Sequence, residues 1–142
     1  MMPNLRDYLE DYALAIETTD GEILTACGRG VKPLYTLYQT VPAKLRGARL
    51  VDRVVGRGAA AIMVAAGIAS IETPIISRSA LDLLQRHGIT VQAGQIVDMI
   101  VNRAGTGQCP VEALTSGIDD IQQSLALIDN FLKTIELKKQ AP

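Results

Sequence analysis

Residues 49–93 read RLVDRVVGRGAAAIMVAAGIASIETPIISRSALDLLQRHGITVQA, and this stretch decides the fold. Arg49 to Val55 is a short run rich in β-branched residues, predicted as a strand. Gly56 to Ala66 is alanine-rich and ends at Gly67, the composition and stop signal of a helix. Ile68 to Ile76 reads as a second strand. Ser77 to His87 is a helix, capped by Ser77 or Ser79 and closed by Gly88. Ile89 to Ala93 is a third strand. Strand and helix in regular alternation imply parallel strands with helices on both faces of the sheet.

Upstream, Asn4 to Asp11 is predicted as a short helix. Tyr12 to Thr19 and Glu22 to Cys27 are two apolar, β-branched runs separated by Asp20-Gly21, a pair that suits a two-residue type I′ turn. They form an antiparallel hairpin. Gly28-Arg29-Gly30 ends it, and Pro33 opens a helix with Leu34, Leu37 and Tyr38 on one face. Downstream of Gly94, Ile96 to Val101 reads as a short helix, Asn102 to Pro110 as a polar loop, and Val111 to Thr115 as a helical turn stopped by Gly117. A last helix runs from about Ile118 to Leu137. Its Ile118, Ile121, Leu125, Ile128, Leu132 and Ile135 alternate spacings of three and four, a heptad seam. That seam is expected to pack on the sheet, with a partner subunit as the alternative. The expected architecture is a three-layer α/β fold with a mixed sheet: a hairpin, then parallel βαβαβ, then a long C-terminal helix. Residues 1–117 form the α/β domain and 118–142 a helical extension.

Composition narrows the functions. The chain has 142 residues, 48% hydrophobic and 20% charged, with a formal net charge of −1. That balance suits one globular domain and gives no general attraction to nucleic acid or an anionic membrane. There is no Trp and only one Phe, too few aromatics for a base-stacking platform. Cys27 and Cys109 are read as free thiols in a reducing compartment. Met1 to Glu10 has no secretory pattern, and Ala59 to Ile71 is too short to span a bilayer. A cytoplasmic protein is expected.

In parallel sheets, ligands sit beyond the carboxyl ends of the strands, where helix N-termini present free N–H groups. That places a candidate anion site around Arg53, Gly56, Arg57 and Gly58, with Ser77, Arg78, Lys32 and the loop residues Asn102 and Arg103. The glycines would let a ligand approach the backbone. A phosphorylated or nucleotide-like anionic metabolite is the expected partner. Asp52 interrupts an apolar strand with a charge, and burial would make it a candidate general base. Cys109, just before Pro110, is a candidate nucleophile without a histidine partner, while Glu112 is read as capping the helix that follows it. Gly56-x-Gly58-x-x-Ala61 matches a dinucleotide fingerprint, but the hairpin before it and Arg57 within it argue against that cofactor. No cofactor is expected.

The order hairpin, helix, strand, helix, strand is similar to that of the cytidine deaminase-like fold. In that fold zinc ligands and a general-acid/base Glu stand at the starts of two successive helices. Here those starts are Gly56-Arg57-Gly58-Ala59 and Ser77-Arg78-Ser79-Ala80, with no zinc-ligand type among them, and no metal site is expected. The chain resembles, from about Tyr12 to Glu112, a family described as domain of unknown function 1893. The resemblance rests on Arg29-Gly30-Val31-Lys32-Pro33, on Asp52-Arg53-Val54-Val55-Gly56-Arg57-Gly58-Ala59, and on Asn102-Arg103-x-Gly-x-Gly-x-Cys109-Pro110-x-Glu112. It implies a zinc-free deaminase-like fold and assigns no reaction. Three functions stay open: metabolite binding, metal-independent catalysis through Asp52 or Cys109, and oligomeric assembly through the C-terminal helix.

Overall fold

The structure is a computed structural model and describes residues 4–28, 30–100 and 109–140. It opens with a 3-10 helix, Leu5–Glu10, held by a reciprocal cap between Asn4 and Asp7. β1 (Leu14–Glu17) and β2 (Ile23–Ala26) form the antiparallel hairpin. Its connection is longer than the expected two-residue turn. Thr18 and Glu22 close it with a main-chain bond of 2.9 Å, and Gly21 alone takes positive φ, at 90°. A type I′ turn needs positive φ at both central residues, and Asp20 does not supply it.

Helices α1 (Lys32–Thr40) and α2 (Pro42–Leu45) lead into β3 (Arg49–Asp52) and β4 (Val54–Val55). Then come α3 (Arg57–Ala66), β5 (Ser70–Ser77), α4 (Arg78–Arg86) and β6 (Thr90–Val97). β3 pairs antiparallel with β1 and parallel with β5, and β6 lies parallel on the far side of β5. The result is one mixed sheet of six strands. At the start of the helix expected over Ile96 to Val101, Ile96 and Val97 instead extend β6, in register with Ile76 and Ser77 of the long β5; Val101 lies outside the described residues.

β3 and β4 hold the same register against β5 and are one strand interrupted at Arg53. Opposite the interruption stands Pro74, which has no N–H to donate to the ladder. Beyond it, the β5–β6 pairing also skips Pro74 and Gly94, and a Cβ at Gly94 would press on the Pro74 carbonyl. Below the break Leu50 and Ile71 enter the main core; above it Val55 and Ile76 do. Strict alternation would send residues five apart to opposite faces, so the break turns the strands over.

That core is shared with Leu34 and Tyr35 of α1, the buried face of α3, and Leu83 and Leu84 of α4. The last two elements are α5 (Pro110–Leu114) and α6 (Ile121–Gln140). Leu125 and Ile128 of α6 enter the same core, so the heptad seam is used within the chain. The opposite sheet face is covered less fully than expected. Ala15 and Val51 pack there on Leu5 of the 3-10 helix in a small second core. No described helix is long and apolar enough to cross a membrane.

Candidate functional site

The strand break delivers Asp52 to the carboxyl end of β3, in the lining of a cavity of about 520 Å³. Val31, Leu34, Val54 and Ile100 supply much of its apolar wall, Asp52 and Glu112 its carboxyl groups, and Cys109 a thiol. Desolvation pushes the Asp52 carboxyl up to about 7, against main-chain hydrogen bonds from Val54 and Arg53 and the Arg53 charge, which pull it down. Half-protonated near neutral pH, it is able to give or take a proton or a hydrogen bond. A shallower hollow of about 610 Å³ lies against the 3-10 helix and bears the exposed Arg6–Glu72 pair.

The start of α3 differs most from the sequence reading. Its N-cap, Gly56, has no side chain to offer, and the cap comes from far along the chain: the Glu112 carboxylate accepts the Arg57 N–H at 2.8 Å. Glu112 is buried and caps α3 rather than its own helix. The two glycines serve this contact. A Cβ on Gly56 would collide with the Glu112 carboxylate, and one on Gly58 with the Val111 side chain. What approaches the backbone here is the protein's own α5. A carboxylate on the free N–H groups of a helix is the arrangement an anion would seek, and the chain already provides it.

Arg57 does not face the cavity. Its side chain is 5% exposed, and the guanidinium lies behind the wall. It donates to the Thr115 carbonyl at 3.1 Å, the Ile118 carbonyl at 2.7 Å, Ser79 Oγ at 2.8 Å and Asp119 at 3.0 Å. Arg53 borders the cavity, but its guanidinium donates to the Leu9 carbonyl at 2.9 and 2.6 Å, fastening the 3-10 helix. Ser77 is buried and caps α4 through Ala80 N–H at 3.1 Å. Arg78 is exposed and pairs with Asp98 at 3.4 Å. Lys32 is exposed and pairs with Glu136 of α6 at 3.4 Å. Of the sequence candidates, the structure therefore gathers Asp52, Arg53, Gly56, Gly58 and Cys109 at the cavity and places Lys32, Arg57, Ser77 and Arg78 outside its lining. Asn102 and Arg103 lie outside the described residues. Glu112 was missed as a site group; Gly-x-Gly at a helix start with no side-chain cap was the signal that something else must fill the space.

Cys109 is the N-cap of α5 and donates its N–H to the Ile100 carbonyl at 2.7 Å. His87 stands at the far end of α4. Among the described residues, no three His, Cys, Asp or Glu side chains converge as a metal ion requires.

Fold and cavity together define a mixed-sheet α/β protein with a carboxyl-bearing cleft at the ends of its central strands. The chain belongs to the DUF1893 family: the model described as "TM1506: Domain of unknown function (DUF1893)" matches residues 6–132. The crystal structure of a DUF1893 family protein (TM1506) from Thermotoga maritima has the same fold, with a TM-score of 0.80. The match covers 89% of this chain and 85% of that one at 22% sequence identity. Among curated proteins none matches the chain.

Proposed function

We propose that the protein binds a small molecule in the Asp52 cleft. The observation that carries this reading is Asp52 itself: a carboxyl pushed up to about 7 by desolvation, at the wall of a largely apolar cavity of about 520 Å³. Burying a carboxyl costs free energy unless it is satisfied, and a cleft with a few polar groups and one perturbed acid is the usual form of a ligand site. The ligand would set a hydrogen-bond donor against Asp52 and an apolar body against Leu34, Val54 and Ile100.

The cleft corresponds, on this reading, to the catalytic pocket of a cytidine deaminase-like fold with its zinc-ligand positions replaced. An anionic metabolite was the expected partner, and its expected supports are engaged elsewhere. Arg57 is tied to carbonyls, Arg78 to Asp98, and the α3 terminus to Glu112. The preferred ligand is therefore a hydrogen-bond donor rather than a phosphate ester. Screening a panel of amines, amides, alcohols and phosphates by thermal shift tests this, with Asp52→Asn alongside. A donor-bearing compound should raise the melting temperature of the wild type and not of the variant. If no compound shifts the wild type, the reading fails.

A further inference from the structure

We propose that α5 is a strap: a short segment that forms one side of the cleft, is clasped by Arg57 at its middle and just beyond its C-terminal end, and opens as a unit without unfolding the sheet.

Cys109, Pro110, Val111 and Glu112 are consecutive and all border the cavity. The helix they begin is five residues long, too short to hold its shape without outside contacts. Those contacts converge on one residue of α3. The Arg57 backbone N–H binds the Glu112 carboxylate within α5, and the Arg57 side chain binds the carbonyls of Thr115 and Ile118 just after it. Ser79 Oγ and Asp119 steady the same guanidinium. Val111 completes the seat, resting where Gly58 has no Cβ. The central strands, by contrast, are held by ladders on either side of the break and by the main core, to which α5 adds one buried apolar side chain, Val111. Segments fastened by a few polar contacts and a single buried apolar side chain open at lower free energy than elements that supply most of the core, so opening the strap and unfolding the protein are separate events. Its role as the entrance to the cleft rests on the binding reading above; the opening does not.

The two thiols make the test. Cys109 lies on the strap and is half-buried, while Cys27 is exposed and remote in sequence, an internal reference. Iodoacetamide labelling of the full chain, followed by mass spectrometry in denaturant below the unfolding midpoint, reads the opening directly. Cys109 should label more slowly than Cys27, at a rate that changes little with denaturant. Arg57→Lys, which keeps the charge and the backbone N–H but loses the fork, should speed Cys109 labelling at least about tenfold and leave Cys27 unchanged, the change in population expected from losing about 1.4 kcal/mol of fastening. Should that variant not fold, Glu112→Gln loosens the other fastening and is read the same way. Cys109 labelling that tracks global unfolding, or that the loosened variant leaves unchanged, overturns the strap. Failure of the ligand panel with labelling as expected would remove only the entrance role.

Discussion

The starts of α3 and α4 occupy equivalent places in the fold, each following a strand that runs into the core, yet they are capped in opposite ways. α4 is capped by its own neighbour, Ser77, whose hydroxyl accepts the Ala80 N–H three residues on. α3 is capped by Glu112, 55 residues away in sequence, through a gap kept open by two glycines. A local cap is a property of a helix and serves only that helix. A distant cap joins two parts of the chain, and here it also builds the wall of a cleft.

Breaking the side-chain half of the distant fastening should cost most. Arg57→Ala strips hydrogen bonds from the buried Thr115 carbonyl and the half-buried Ile118 carbonyl, leaving the Glu112 cap as the remaining polar tie of α5 to α3, and should lower stability by about 3 kcal/mol in chemical denaturation. Filling the gap comes next. Gly58→Ala drives a methyl into Val111 and should cost about 2 kcal/mol, although alanine is the better helix former, so a stabilised variant would refute the proposed contact.

Asp52 sharpens the comparison through pH, since it belongs to the cleft and not to either cap. An unfolded chain releases its proton near the ordinary 3.8, whereas the folded protein holds it until about 7. The folded state thus binds the extra proton, and its advantage is present in full below pH 3.8 and lost as pH rises through 7. Asp52→Asn should flatten this decline and leave the variant more stable than wild type above neutrality, by about 1–2 kcal/mol. Equilibrium unfolding across that pH range measures it. The smallest effect belongs to the local cap: Ser77→Ala should cost about 1 kcal/mol and leave Cys109 labelling untouched.

The same contrast explains what could be read from the sequence. The hairpin, the order of strands and helices through β6, the Ser77 cap and the ends of α3 and α4 depend on neighbours a few positions apart. Gly67 and Gly88 take φ of 75° and 77°, as helix stops do. Asp52 was legible for a related reason, because a charge in an apolar strand stands out. The partners of Arg57 and Glu112 were not legible. Arginine and glycine at a helix start suit an incoming anion and an incoming loop of the same chain equally well, and only the folded path of residues 109–119 tells them apart. The helix assigned to Ile96 failed similarly, since β5 sets how far β6 extends.

The break running through Arg53, Pro74 and Gly94 leaves one more consequence. It is a change of side-chain phase that neighbouring strands share while keeping one register across it. Restoring strict alternation in one strand, as Pro74→Val would invite, puts that strand out of step with both its neighbours. The residues at these positions are therefore coupled through the sheet, and Asp52 keeps its place at the cleft only while all three strands share the break.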